Sequence, residues 1–394
     1  METQQTRLPS IFSDKSVFHE DYLPARILHR DDQIRKVKEI LGDLEAGSGS
    51  RPDNMLIKGA YGSGKTLIVK ATCRILPARC VFIYLNCSRE NTRLRIIRAA
   101  LQQLGVSTPE TGVPGDYYER RFENALSQHR FVILALDEVD KFTDRGDSES
   151  FELFYMLSRL VGNVTVILLT NRASFETDFA NNMDARVRDT FRWVPIEFPD
   201  YDSAQLAAII EDRCQVGLRT DSWDRGICSL VAALAYRQAG RARGALALMR
   251  KAAQVAEVRG HAQIEGDDVR EAARQLKERQ GQEIIRRLPL IERQILAHVL
   301  INNPTGVAAY RWYVTIAPEY GAATSLTTFY DYVNRLTTLG LMDKEKHGRG
   351  RAKGLDMTLH VPPQIEADVR LSLETELELE TPLTATVNVT ENPN

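Results

Sequence analysis

Met55–Ala71 reads MLIKGAYGSGKTLIVKA: an apolar lead-in, a glycine-rich turn, a Lys-Thr pair and a helical exit. Within it Gly59-Ala60-Tyr61-Gly62-Ser63-Gly64-Lys65-Thr66 satisfies G-x-x-x-x-G-K-[ST], set between a predicted strand and a predicted helix as phosphate binding requires. Glycines let the backbone wrap around phosphates, so that N–H groups and the helix N-terminus face negative charge. Lys65 is expected to reach the β- and γ-phosphates and the Thr66 hydroxyl to ligate Mg²⁺, which makes ATP and Mg²⁺ the expected cofactors. A chance glycine turn would have no need of both flanks.

Working outward, NMLIKG, CVFIYLN, FVILALDE, VTVILLTN and WVPIEF are short apolar runs between about residues 54 and 198. Amphipathic stretches such as TRLRIIRAALQQL and ESFELFYMLSRL separate them. Continuous apolar strands alternating with helices point to an α/β fold with a parallel sheet covered on both faces. FVILALDEVDKF puts Asp137 and Glu138 at a strand end. The carboxylate nearer the strand is expected to hold Mg²⁺, through water or directly, and the next to polarise the attacking water. Asp140 and Lys141 either belong with this pair or are surface residues closing the strand. VTVILLTN ends in Asn171. An Asn there is often a turn former, but a strand lying beside the one that carries Asp137 would bring its amide within reach of the γ-phosphate or the attacking water.

At 394 residues the chain is long enough for two or three domains. With 43% hydrophobic and 26% charged residues its composition is globular. The formal net charge of −2 gives no argument for a nucleic-acid partner, which would need local basic patches. The five cysteines are spread out with no C-x-x-C pair, and those in apolar runs read as small hydrophobes in a reducing compartment. No signal sequence begins the chain, and no apolar run approaches the ~18 residues of a membrane helix. A soluble cytoplasmic protein with no membrane partner is expected.

Helical patterns alone follow Asp200, and a second change of character follows ERQGQE. The expected organisation is an N-terminal extension (1–20), a nucleotide-binding core (21–199), a helical lid (200–280), a third domain (284–362) and an acidic tail (363–394). From Glu366 the tail has seven acidic residues and one Arg. Its alternation in LSLETELELE allows a strand, but a disordered tail is the expectation.

In the third domain VAAYRWYVTIAPEYG and SLTTFYDYVNRLTTLGL read as two helices around a turn, followed by the hairpin MDKEKHGRGRAKGLDMTLHV. Helix, turn, helix and a basic two-stranded tip make a winged helix. Thr327, Thr328, Tyr330, Asp331 and Arg335 would lie on or near the outer face of its second helix. Between Lys344 and Lys353 stand five basic residues, one Glu, one His and three small residues. Such a tip suits a phosphate backbone or a minor groove, which makes Thr327, Thr328, Arg335, Lys346, Arg349, Arg351 and Lys353 the candidate DNA contacts. A solvated charged hairpin is the plainer alternative.

Together these motifs resemble an AAA+ ATPase: a P-loop parallel sheet core, an all-α lid and a C-terminal winged helix. In more detail the chain resembles the archaeal origin-recognition initiators, relatives of the largest eukaryotic origin-recognition subunit and of the replicative helicase loader. The resemblance runs from VFHEDYLPARILHRDDQI to the hairpin. It rests on Tyr22, Pro24 and Arg30 and on LDEVDKF, LLTN, MDARVRDTF, IEFPDYDSAQLAAIIEDRC, GRARGALALMRKA and LPLIERQILAHVL.

The resemblance implies that Pro24 to Arg30 border the adenine, that Asn171 is sensor 1 and that Arg243 is the lid arginine, sensor 2, at the γ-phosphate. It implies partners too: double-stranded origin DNA, the replicative helicase and other initiator protomers. An extra core helix is implied near SRENTRLRIIRAALQQLGV, with Arg93, Arg95 and Arg98 as candidate duplex contacts unless they only coat that helix. The chain departs from the family in having Arg241 where an acidic residue is common. It also has Thr190 at the position of the trans-acting arginine, with Arg186 and Arg188 close by. Slow, switch-type hydrolysis in a monomer is therefore expected. A signalling or mobile-element regulatory ATPase with an internally packed winged helix is the alternative.

Overall fold

A computed structural model describes residues 10–46, 52–109, 112–143, 148–160, 163–237, 241–346 and 357–377. The chain divides into two compact units, 1–272 and 273–394. The first is built on five parallel strands in the order β2-β3-β4-β1-β5: β1 (Asn54–Gly59), β2 (Cys80–Asn86), β3 (Phe131–Asp137), β4 (Val164–Thr170) and β5 (Trp193–Phe198). Each predicted strand is present. Helices α1 (Asp31–Ala46), α2 (Lys65–Arg74), α3 (Arg93–Gln103), α4 (Gly115–Ser127), α5 (Val139–Thr143), α6 (Ser148–Arg159), α7 (Phe175–Asn182) and α8 (Ala185–Thr190) connect and cover them.

Strands β3 and β4 are buried from end to end because successive residues enter different cores. Leu134, Leu136, Val166 and Leu168 join Ile97, Phe122 and Phe154 of the covering helices. Ile133, Ala135, Ile167 and Leu169 join Val37 of α1 and Ile68 of α2 on the other face. A strand covered on both faces favours apolar residues throughout, hence the apolar runs, and the two buried threonines of β4 are satisfied by hydrogen bonds, Thr165 to the Pro52 carbonyl and Thr170 to Asp140. Polar chemistry is pushed to the carboxyl ends of the strands, where open α/β sheets bind ligands.

Four helices follow: α9 (Ser203–Gly217), α10 (Arg225–Arg237), α11 (Ala242–Arg259) and α12 (Gly266–Arg287). A capping box between Asp202 and Gln205 starts α9. The N-terminal segment is strapped to this helical layer. Phe12 bridges Leu218, the Ser13 N–H donates to the Gly217 carbonyl at 2.9 Å, and the Ile11 N–H donates to Glu257 at 3.0 Å. ERQGQE, read as a junction, lies inside α12 and is helical throughout. Four of the cysteines are buried and Cys80 is half-buried.

The second unit gathers α13 (Leu290–Asn302), α14 (Gly306–Ile316) and α15 (Leu326–Thr338) around Tyr313, Phe329, Val333 and Leu336. The antiparallel pair β6 (Asp343–Lys346) and β7 (Met357–His360) closes it, with Leu359 inside. Thr305 adds a single bridge to Thr358. Three helices and a hairpin in this order form a winged-helix fold. The disordered acidic tail expected from residue 363 is corrected for part of its length: Glu366–Glu376 is a helix, α16. Val369, Leu373 and Leu377 repeat every fourth residue and pack on the same core, while Arg293 donates to the Glu376 carbonyl at 3.3 Å. Glu366 is exposed and Asp368, Glu374 and Glu376 are half-buried beside that stripe, so the segment reads as a solvated tail when only its charge is weighed.

Candidate functional site: a nucleotide cleft and a winged helix

The glycine-rich loop follows β1 because only glycine fits there. A Cβ at Gly59 would lie 2.4 Å from the Phe198 carbonyl oxygen, and Gly64, the N-cap of α2, holds φ +93°. The loop thereby turns its amides and the α2 N-terminus toward one point. Lys65 begins α2 and is only 5% exposed. Its ammonium donates to the carbonyls of Gly59 at 2.7 Å and Ala60 at 2.9 Å and to Asn171 Oδ1 at 2.8 Å. Burial pushes its pKa down to about 8 against the opposing pull of Asp137, Asp140 and Glu138.

Parallel pairing of β3 with β4 sets the ends of the two strands side by side, and so brings Asp137 and Asn171 to the loop. Asp137 Oδ2 accepts from the Thr66 hydroxyl at 2.6 Å and from the Tyr84 hydroxyl at 2.7 Å, while Oδ1 accepts from the Glu138 N–H at 2.9 Å. Burial and the neighbouring Asp137 carboxylate push the Tyr84 phenol above its ordinary pKa, so it remains a donor. Glu138 sits at φ +55°, a strained conformation for a glutamate. The Ser88 hydroxyl donates to its carboxylate. Asp140 is buried, accepting from the Thr170 hydroxyl at 2.8 Å and the Asn171 N–H at 3.2 Å. It therefore fixes the strand end that presents Asn171, whereas Lys141 is exposed.

Thr66 Oγ1 and the Asp137 carboxylate form an all-oxygen pair that suits a hard cation. Among the described residues no three His, Cys, Asp or Glu side chains cluster as a metal cage. Mg²⁺ held here would complete its shell with phosphate and water, as it characteristically does. The residues present fit ATP·Mg²⁺.

Loop, strand ends, lid and N-terminal segment enclose a cleft of about 790 Å³. Tyr22, Pro24 and Ile27 line one wall, and Arg213, Arg243 and Arg250 the lid side. Arg243 pairs with Glu20 at 3.5 Å and lies 4.3 Å from the Tyr61 ring centroid. Arg30, expected at the adenine, is not on the cleft lining and is corrected to a support role. It is 2% exposed, donating to the carbonyls of Ser63 at 3.0 Å and Pro199 at 2.6 Å, and stacks 3.7 Å over Tyr201. It ties the back of the loop to the exit of β5. Tyr84, Ser88, Glu20 and Arg213 escaped the sequence reading, and only the pairing of Asn86 with Asp137 across β2 and β3 could have pointed to the first two.

In the second unit Thr327 is exposed near the start of α15, and Thr328 is half-buried with its N–H capped by Ser325 Oγ at 3.1 Å. Asp331 is exposed. One expectation is corrected here. Tyr330 faces inward, its hydroxyl buried without a partner among the described residues. Arg335 is 57% exposed and also pairs with the fully buried Glu292, Nη1 to Oε1 at 2.9 Å. Lys346 ends β6. Arg349, Arg351 and Lys353 lie outside the described residues.

In the core Arg93 pairs with Glu119 and with Glu152, the latter at 2.9 Å, and Arg98 lies over the Tyr118 ring. Both anchor α3 internally. Near the finger position, Arg186 pairs with Asp184 at 3.1 Å and Arg188 donates to the Ala180 carbonyl at 2.7 Å.

Residues 207–274 match the family model of the Cdc6 AAA+ ATPase-type lid domain, and residues 49–177 match that of an AAA domain. The chain is 30% identical to the ORC1-type DNA replication protein 1 of Sulfolobus acidocaldarius, over 90% of this chain and 91% of that protein. It is 31% identical to the protein of the same name from Methanothermobacter thermautotrophicus, over 88% of this chain and 92% of that one. Among solved structures it is similar to the Aeropyrum pernix ORC1 protein in complex with DNA. That likeness has a TM-score of 0.77 at 27% identity, covering 93% of this chain and 97% of that one.

Proposed function

The chain belongs to the family of ORC1-type DNA replication proteins, AAA+ proteins of replication initiation, and from that membership we propose that it binds origin duplex DNA under the control of ATP and helps to load the replicative helicase. The observation that carries the nucleotide half of this reading is the convergence on Lys65 and Asp137. Loop carbonyls, Asn171 and Thr66 meet there at hydrogen-bonding distance around one small volume. Lys65 would exchange its carbonyl partners for phosphate oxygens. Glu138, held by Ser88, would orient and deprotonate the attacking water once released from that contact. Asn171 and Arg243 would read the γ-phosphate from the sheet and from the lid. Bound Mg²⁺ would supply charge neutralisation across the phosphates.

Hydrolysis is slow and switch-like in this reading, because Thr190 stands at the position of the trans-acting arginine. The winged helix supplies the DNA half through the exposed start of α15 and the basic residues that follow Lys346 in sequence. Support comes from the similar Aeropyrum protein having been solved on DNA. A genome-wide footprint to find the preferred element, followed by anisotropy on that duplex and a scrambled one, tests the proposal. With six to ten phosphate contacts, affinity should drop roughly 10³–10⁵ between 50 and 200 mM salt. It should also differ between the ATP and ADP states. Equal binding to both duplexes in every nucleotide state would refute it.

A further inference from the structure

We infer that Tyr84 is a positioning residue for Mg²⁺ in the nucleotide cleft, acting through Asp137; the inference rests on the ATP-binding reading above. Tyr84 lies on β2, whose register sets Tyr84 beside Ala135 and Asn86 beside Asp137. Its ring therefore reaches past the strand end, and its hydroxyl donates to Asp137 Oδ2 at 2.7 Å. The Thr66 hydroxyl takes the same oxygen at 2.6 Å, and the Glu138 N–H takes the other at 2.9 Å. One carboxylate thus has three donors, Thr66 from α2, Tyr84 from β2 and the N–H of the next residue. Rotation about its terminal bond would break at least one of them.

The phenol is itself held in place, since the Lys70 ammonium stands 4.1 Å from its ring centroid. A neutral donor fixed in this way orients the carboxylate without competing for the cation by charge. Outer partners of this kind are worth 10- to 100-fold in metal affinity. Thr66 and Asp137 supply the oxygens, and Tyr84 sets the angle at which Asp137 presents its own.

The full-length chain and Tyr84→Phe separate the possibilities. The substitution deletes one oxygen and keeps the ring under Lys70. Affinity for a fluorescent ATP analogue is measured in EDTA and across a Mg²⁺ titration, with a thermal melt of each protein free of metal. The expected result is equal affinity in EDTA, near-equal melting, and a Mg²⁺ midpoint about 10- to 100-fold higher in the variant. An unchanged Mg²⁺ midpoint overturns the inference. So does a variant that is unfolded without metal, which would make Tyr84 a core residue. Failure of the wild-type chain to bind the analogue in either condition would instead defeat the nucleotide reading itself.

Discussion

Arg335→Ala should weaken the winged-helix unit itself. Glu292 is 0% exposed, and Arg335 Nη1 donates to its Oε1 at 2.9 Å, while Oε2 has no partner among the described residues. Removing one member of a buried pair costs about 3–5 kcal/mol, because the remaining charge is stranded. Arg335 is 57% exposed and was never fully desolvated, so the low end applies, about 3 kcal/mol. At 1.4 kcal/mol per tenfold, amide exchange across α13 and α15 should accelerate roughly 100-fold.

The effect has a sign in pH. Burial raises the Glu292 pKa and Arg335 opposes that rise. A raised carboxyl pKa means that the native state holds a proton the unfolded chain has lost, so stability falls as pH climbs between the two values. Loss of Arg335 widens that window upward. The deficit should therefore be larger at pH 8 than at pH 5, after correction for intrinsic exchange. Replacing both residues by Leu should restore most of the protection. Unchanged exchange in Arg335→Ala together with weakened duplex binding would refute this reasoning and leave Arg335 a DNA contact alone.

Glu138→Gln should keep ATP affinity within about threefold and slow single-turnover hydrolysis roughly 10²–10⁴-fold, the range for a lost general base. Intact hydrolysis would move that role elsewhere. Lys65, with its amine brought down to about 8, is partly neutral above that pH and should be recharged by bound phosphates. ATP affinity should then fall up to about tenfold per pH unit above pH 8, with about one proton taken up on binding at pH 9. Calorimetry in two buffers of different ionisation enthalpy reads that proton directly, and no uptake would rule the shift out.

What the sequence reveals and what it hides divide along a physical line. The phosphate loop, the five strands and the placement of Asn171 beside Asp137 are legible because each depends on local pattern. Strands buried on both faces must be apolar, and the chemistry must then gather at their carboxyl ends. Arg30 is different: an arginine near an expected adenine wall reads as a ligand. Only the closeness of the Ser63 and Pro199 carbonyls, 33 and 169 residues away, turns it into a brace. The ion pair of Arg335 is hidden for the same reason, since its partner Glu292 lies 43 residues upstream in an apolar stretch where a buried carboxylate is not expected. Tyr84 is hidden most completely, as nothing in CVFIYLN distinguishes a phenol aimed at a carboxylate from one that merely packs. In α16 charge masks the pattern: the acidic residues of the segment suggest a solvated tail, while Val369, Leu373 and Leu377 at every fourth position describe a helix with one apolar stripe. For Arg30, Arg335 and Tyr84 long-range pairing decides the role of a side chain whose type alone is ambiguous.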